Sequence, residues 1–365
     1  MKRPRARETG VWFGELTTGP RNMITDIPGV RVGHSTIIKG SGPVKPGKGP
    51  VRTGVTAILP HPGNMFQSPV KGNFFDFNGC GGLIGSLQIR EFGIIETPIM
   101  LTNTMSIGTV ASGVIKHLLK SNPQSGLESD TIIPIVSECD DSWLNDSRGM
   151  HVTEQHAMAA IESASASVEE GAVGAGTGMT CYEYKGGIGT SSRVISMDTG
   201  KYTVGSLVLS NHGDWNELTI SGVPVGNLLG KPEDRRPEKG SIVMVVGTDA
   251  PVDARQLGRL ARRAILGLAV TGSASHNGSG DISIAFSTAN LHERFKKNGL
   301  VTEKLLMDKD INPLFRATVD CTAEAIINSL FKAETVEGRD GHVSYALPIE
   351  KTLAILKEHG RLRSI

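Results

Sequence analysis

Short apolar runs alternate along the chain with longer stretches in which apolar residues return every three or four positions. That pattern predicts strands interleaved with helices. Val30 to His34, Gly54 to Leu59 and Ile99 to Thr102 read as strands, and Ile132 to Val136 as a buried one. Ser106 to Leu119 reads as a helix, as does Thr153 to Val168, with Ala157, Ala160, Ile161, Ala164 and Val168 at helical spacing. Val194 to Met197 and Tyr202 to Leu209 return to β character. The cleanest buried strand is S-I-V-M-V-V-G-T, Ser241 to Thr248. Beyond it Asp253 begins D-A-R-Q, a capping-box pattern with Gln256 three residues on. In the helix that follows, Leu257, Leu260, Ala261, Ala264, Ile265 and Leu268 share one face, and Arg255, Arg259, Arg262 and Arg263 read as a solvated surface. No repeat of fixed period is present.

Composition narrows the class. The chain has 365 residues, enough for one large or two ordinary domains and a sizeable core. Lys+Arg is 38 against Asp+Glu 37, a net charge of +1, so nothing global draws it to nucleic acid or an anionic membrane. With 38% hydrophobic residues it is not a disordered chain. Cys80, Cys139, Cys181 and Cys321 lie far apart, with neither zinc-site nor disulfide-framework spacing. No apolar segment follows the basic start M-K-R-P-R-A-R, and the apolar runs are strand-length, so a reduced, cytoplasmic setting is expected. Glycine is the outlier, with 45 residues. Much of it falls in Gly79 to Gly85, Gly171 to Gly189, Gly240, and Gly278 to Gly280. Glycine at such density signals tight turns or close backbone approach.

One position combines these signals. Gly230 to Gly240, G-K-P-E-D-R-R-P-E-K-G, reads as an exposed linker, and Ser241 follows it at the mouth of a buried strand. The Ser241 hydroxyl is placed to attack the Gly240 carbonyl. The N-to-O acyl shift makes an ester that water cleaves, giving residues 1–240 and 241–365. Glycine tolerates the strained backbone that the attack requires. The new α-amine, with an ordinary pKa of roughly 7.7–8.0, is partly neutral near pH 7 and can accept the hydroxyl proton of its own residue. None of the ten histidines sits in a recognisable nucleophile-base motif. Taken alone, Gly-Ser before a strand is an ordinary loop end.

The neighbouring motifs change that. N-M-I-T-D-I-P-G-V-R-V-G-H (Asn22 to His34), F-N-G-C-G-G (Phe77 to Gly82), G-A-V-G-A-G-T-G-M (Gly171 to Met179), K-G-G-I-G-T-S-S-R (Lys185 to Arg193), K-G-S-I-V-M-V-V-G-T-D-A-P and G-S-G-D (Gly278 to Asp281) occur in order over nearly the whole chain. This series resembles the L-aminopeptidase/D-amidase-esterase (DmpA-like) family, which includes the β-peptidyl aminopeptidases. The resemblance implies one α/β domain, an αββα sandwich with Ntn-hydrolase-like layers and different connectivity. It implies cleavage into an α chain (1–240) and a β chain (241–365), with Ser241 as the nucleophile. It also implies exopeptidase action on short peptides, amino-acid amides and esters, and a tetramer-like homo-oligomer.

Site residues follow from the same resemblance. Asn211, in L-S-N-H-G, is expected to donate its amide to the oxyanion, although its residues alone read as a turn before Gly213. Ser279 and Asp281 are expected to support Ser241 and its amine, beside the reading of an ordinary glycine-rich turn. A substrate ammonium needs an anion, and Glu138, after the Ile132 to Val136 run, is the candidate, with Asp140 or Asp141 as substitutes. The rest of S-E-C-D-D-S-W-L-N-D reads equally as loop solvation. Trp143 is expected to wall the pocket, although the family has a tyrosine near here and an indole can only donate. Cys139 is a rival nucleophile by position, but free cysteines are usually inert core residues. The glycine clusters lack nucleotide-loop spacing. No cofactor, metal, nucleic acid or membrane partner is expected. Two other readings stay open: acyl transfer like that of the ornithine acetyltransferases, which cleave before threonine, and an uncleaved, non-enzymatic assembly protein.

Overall fold

The computed structural model describes residues 3–234, 240–294 and 299–364. Eleven of its strands build two large sheets. In chain order they are β1 (Arg31–Lys39), β2 (Val51–Leu59), β3 (Val70–Gly79), β4 (Leu83–Ile84), β5 (Ile94–Ile95) and β6 (Ile99–Asn103). Then come β7 (Ile135–Cys139), β8 (Gly187–Met197), β9 (Gly200–Ser210), β10 (Ile242–Thr248) and β11 (Gly280–Ser287). The first sheet has the order β1-β2-β6-β7-β4 and the second β8-β9-β10-β11-β3-β5. Four helices cover them: α1 (Ile107–Leu119), α2 (Glu154–Glu162), α3 (Ala254–Val270) and α4 (Asn312–Lys332).

Three apolar layers hold this stack together. Val55, Ala57, Met100 and Val136 of the first sheet pack on Val110, Val114, Ala157 and Ala160 of α1 and α2. Ile58, Leu101 and Ile135 meet Ile188, Leu207 and Val243 between the sheets. Val204, Met244 and Val246 meet Leu257, Leu260, Ile326 and Ile327 of α3 and α4. The order is helix, sheet, sheet, helix, the αββα sandwich that the motifs implied. β10 shows how sequence sets the layers. Ile242, Met244 and Val246 enter the helix-side core, and Val243 and Val245 enter the inter-sheet core. Both faces are buried, so the strand is apolar throughout.

Each sheet contains one parallel pair, β6–β7 and β10–β11, and each pair is joined by a crossover helix, α1 and α3 respectively. Asp253 caps α3 as its sequence predicts: its Oδ1 accepts from Gln256 N–H at 2.6 Å, and its own N–H donates to Gln256 Oε1 at 3.1 Å. The six predicted face residues of α3 are buried. Two of its four arginines, Arg259 and Arg263, are half-buried and so less solvated than expected. Arg259 and Arg263 stand over the Phe315 ring at 5.0 and 3.7 Å, and Arg262 over Phe75 at 5.7 Å. Arg255 and Arg262 remain exposed, and Arg255 pairs with Asp308 at 2.7 Å.

Other boundaries move for local reasons. α2 ends at Glu162, and Ser165 leaves the helix to pair with Val32 of β1. The run predicted at Ile132 to Val136 becomes strand only after Pro134, which has no N–H to give a ladder, and continues through Cys139. Of the predicted linker, residues 235–239 lie outside the described residues, while Gly240 is buried. Among the described residues no helix is long and apolar enough to cross a membrane.

Candidate active site

Ser241 sits where three strand ends meet. β9 and β10 pair with Ser210 opposite Ile242, and the ladder runs one step further, Asn211 N–H donating to the Ser241 carbonyl at 3.0 Å. On the other side β11 places Asp281 opposite Ile242, and Gly280 N–H donates to Ser241 Oγ at 2.9 Å. Strand alternation gives Ser241 the parity of Val243 and Val245, which face the other sheet. Glycine is required at position 280, where a Cβ would lie 2.4 Å from the Cys80 carbonyl oxygen. Two of the glycine clusters therefore meet beside the nucleophile.

Ser279 and Asp281 flank that N–H. Ser279 Oγ donates to Asp281 Oδ1 at 2.7 Å. Burial raises the Asp281 pKa, with Ser279 and Ser275 opposing. The turn is anchored by its own backbone, Ser279 N–H donating to the His276 carbonyl at 2.8 Å. The His276 ring in turn faces Glu217 at 2.8 Å and Asp214 at 3.9 Å, tying this turn to the loop after Asn211.

The Asn211 side chain is oriented from both ends. Thr180 N–H donates to its Oδ1 at 2.9 Å, and its Nδ2 donates to the Asp140 carbonyl at 2.8 Å. This accounts for part of the dense glycine stretch, for which the sequence alone offers no mechanism. Thr180 lies within it, and a Cβ at Gly189 would lie 1.9 Å from the Ala325 carbonyl oxygen of α4. Fully buried Lys185 knits the stretch, its Nζ donating to the carbonyls of Gly176, Met179 and Gly186 at 2.9, 2.7 and 2.8 Å.

Glu138 comes from the facing sheet, within β7. Its Oε1 accepts from Gly82 N–H at 2.6 Å, and its Oε2 from the Thr104 hydroxyl. Burial raises its pKa, and those two donors oppose the shift. A cavity of about 860 Å³ joins the two sheets' contributions, its wall including Gly82, Glu138, Asp140, Arg148, Gly240 and Ser241. Asp140 thus shares the wall with Glu138. Asp141 does not: it is fully buried, accepts from Asn145 Nδ2 at 2.9 Å and Ser147 Oγ at 2.7 Å, and burial pushes its pKa up to about 6. Trp143 is not among the lining residues, and its ring stacks on His342 with centroids 3.6 Å apart. Cys139 lies in the inter-sheet core, its Sγ 3.7 Å from the Leu209 carbonyl.

The profile of peptidase family S58 matches residues 22–344. The chain belongs to that family. It is 41% identical over 375 residues to the β-peptidyl aminopeptidase BapA of Sphingosinicella microcystinivorans, covering 98% of this chain and 93% of that protein. Its structure matches the PH0078 protein from Pyrococcus horikoshii OT3 with a TM-score of 0.95 at 52% identity, covering 98% of this chain and all of that one. It matches the L-aminopeptidase D-Ala-esterase/amidase of Ochrobactrum anthropi with a TM-score of 0.93 at 37% identity, over 99% and 100% of the two chains. That structure is described as a prototype for the serine aminopeptidases and a variant of the Ntn hydrolase fold. As an S58 peptidase the present chain is a serine aminopeptidase with that fold.

Sequence reasoning missed four parts of this S58 site. Two are backbone donors, the N–H groups of Gly82 and Gly280, which no side-chain pattern announces. Thr104 is reached only through the pairing of β6 with β7. Arg148 lies just beyond the S-E-C-D-D-S-W-L-N-D cluster, in no motif that marks it.

Proposed function

We propose that the chain cleaves its own Gly240–Ser241 bond and then releases N-terminal residues from short peptides, amides and esters. Ser241 Oγ attacks the Gly240 carbonyl carbon, the C–N bond breaks, and the acyl group passes to oxygen as an ester. Water hydrolyses the ester, leaving the Gly240 carboxylate and a free α-amine on Ser241. That amine takes the Oγ proton, and Oγ attacks the first carbonyl of a bound substrate. The substrate's ammonium pairs with Glu138. Asn211 Nδ2 and a backbone N–H receive the oxyanion, and the protonated amine returns its proton to the leaving group. Water then releases the residue from the aminoacyl ester.

One observation carries this reading: Ser241, held at a strand end by Asn211 and Gly280, shares a cavity with a buried carboxylate from the facing sheet. Ser279 and Asp281, hydrogen-bonded to each other beside Gly280, supply polarity next to the new amine. The relatives named above include a β-peptidyl aminopeptidase and an L-aminopeptidase D-Ala-esterase/amidase, so the substrate panel should cover L, D and β residues. The same reading takes the working unit as a cytoplasmic homo-oligomer, to be measured by light scattering. Intact mass tests the processing step. Purified protein should resolve into two fragments meeting at Gly240 and Ser241, and a single chain of 38.8 kDa would overturn it.

A further inference from the structure

The cavity at Ser241 carries charge of both signs. Of the described side chains that line it, Glu138, Asp140 and Arg148 are the charged ones. Both carboxylates have internal donors: Glu138 accepts from Gly82 and Thr104, and Asp140 accepts from Ser142 N–H at 2.9 Å and Ser142 Oγ at 2.7 Å. Arg148 differs. Among the described residues no hydrogen bond, ion pair or ring contact engages its guanidinium, although its neighbours on the chain are tightly held. It lies in the turn Ser147–Gly149. Ser147 Oγ donates to buried Asp141 at 2.7 Å, and Gly149 N–H donates to Asp146 Oδ1 at 3.1 Å. Asp146, itself nearly buried, also accepts from Gly47 N–H at 2.8 Å and His151 Nε2 at 2.9 Å. Two internal carboxylates therefore fix the turn while its cation stays unpartnered on the wall of the nucleophile's cavity.

A guanidinium in that position matches a carboxylate, which it can grip through two parallel N–H donors. We infer that Arg148 recognises a carboxylate on the substrate, foremost the free C-terminus of a dipeptide or similarly short peptide. This rests on the assignment of Ser241 and Glu138 given above. The ammonium would sit at Glu138, the first carbonyl at Ser241 and the carboxylate at Arg148, so that one zwitterionic molecule meets all three. A cavity of about 860 Å³ falls in the range of small-ligand sites, in keeping with substrates of this length. The same guanidinium would accept an acidic side chain, and the experiment separates these two sources of carboxylate.

The processed enzyme is assayed on three matched dipeptides with one N-terminal residue, chosen as the best from the L, D and β panel. One has a neutral second residue and a free C-terminus, the second is its C-terminal amide, and the third is an amide with glutamate as second residue. The wild type should favour the free acid over its amide by about 10- to 100-fold in kcat/KM, mostly through KM, the scale of a charge-assisted contact. Arg148→Met should collapse that ratio towards one, Arg148→Lys should keep part of it, and Arg148→Glu should invert it. A gain confined to the glutamate amide would assign the carboxylate to a side chain instead of the C-terminus. Equal rates on all three dipeptides in the wild type would overturn the inference. So would an Arg148→Met enzyme whose ratio is unaltered. Hydrolysis of the amide keeps the outcomes distinct: if it proceeds without discrimination, only the role of Arg148 fails. If no substrate in the panel is hydrolysed, the aminopeptidase assignment itself fails.

Discussion

Two buried glutamates show what separates structure from site in this molecule. Glu324, in α4, has its oxygens fully engaged. Oε2 accepts from Arg193 Nη2 at 2.6 Å and Arg7 Nη2 at 2.9 Å, and Oε1 from Asn22 Nδ2 at 2.5 Å. Burial would raise its pKa, but Arg193 and Arg7 outweigh burial and hold it below the ordinary value. Among the described residues Glu138 has only neutral donors, Gly82 N–H and the Thr104 hydroxyl, and burial wins, so its pKa is raised. One carboxylate has its counter-charges built in. The other is desolvated, faces a cavity and has no cation partner among the described residues. A buried charge without an internal partner costs stability, and a substrate ammonium would relieve that cost.

The largest effects should break the site and the network independently. Ser241→Ala should abolish both chain cleavage and peptidase activity, the latter by on the order of 10⁶-fold, as for a nucleophile acting within a coupled unit. Its thermal midpoint should stay close to that of uncleaved protein. Fragments of the expected masses from Ser241→Ala would show that another group performs the cleavage. Glu324→Gln should do the reverse. It leaves Arg193 buried without its anion and should cost about 3–5 kcal/mol by denaturant unfolding. Whatever folds should still process. If Glu324→Gln proved as stable as wild type, the contrast between a paired and an unpaired glutamate would lose its structural half.

Asn211→Ala comes next. Its amide is held at both ends, by Thr180 N–H and by the Asp140 carbonyl, so its position is fixed before substrate arrives. Loss of one oxyanion donor should lower kcat by about 10²–10³ with a smaller change in KM. A change in KM alone would move Asn211 from the transition state to substrate binding.

The fold was legible where one chain segment decides the outcome. The continuous apolar run at Ser241 to Thr248 and the capping box at Asp253 each specify a local element, and both appear as read. α4 was not foreseen. It is buried nearly all round, from Leu314 and Ala317 to Ile327 and Leu330, so it lacks the polar stripe by which an amphipathic helix is recognised. Of the site residues named from sequence, Glu138 and Asp140 share the cavity with Ser241, Asn211 bonds the Ser241 carbonyl through its N–H, and Ser279 and Asp281 flank Gly280, whereas Trp143 and Asp141 are not among the lining residues. The donors from Gly82 and Gly280 were invisible because backbone N–H groups carry no sequence signature. Arg148 was invisible for another reason: whether an exposed loop cation also borders a cavity depends on what the other sheet brings opposite it.

The finest prediction uses pH to compare the two glutamates in one experiment. Glu324 is depressed in the folded state, so the stability it supplies is complete above its unfolded pKa, roughly 4.3, and is lost as pH falls through the folded value. The penalty of Glu324→Gln should therefore be full at pH 7 and shrink in acid. Glu138 is raised, so the folded state binds its proton more tightly than the unfolded chain does. Its ionisation costs stability as pH rises from the unfolded value towards the folded one. Glu138→Gln should then be more stable than wild type at pH 7 and lose that advantage near pH 4, a sign opposite to that of Glu324→Gln. Activity should run the other way. The ionised carboxylate holds the substrate ammonium, so wild-type KM should rise as pH falls through the raised pKa of Glu138. Glu138→Gln should have a KM higher by about 10- to 100-fold at pH 7, with that acid limb gone. A Glu138→Gln enzyme both less stable and unaltered in KM would place this carboxylate with Glu324, as a structural group and not a substrate anchor.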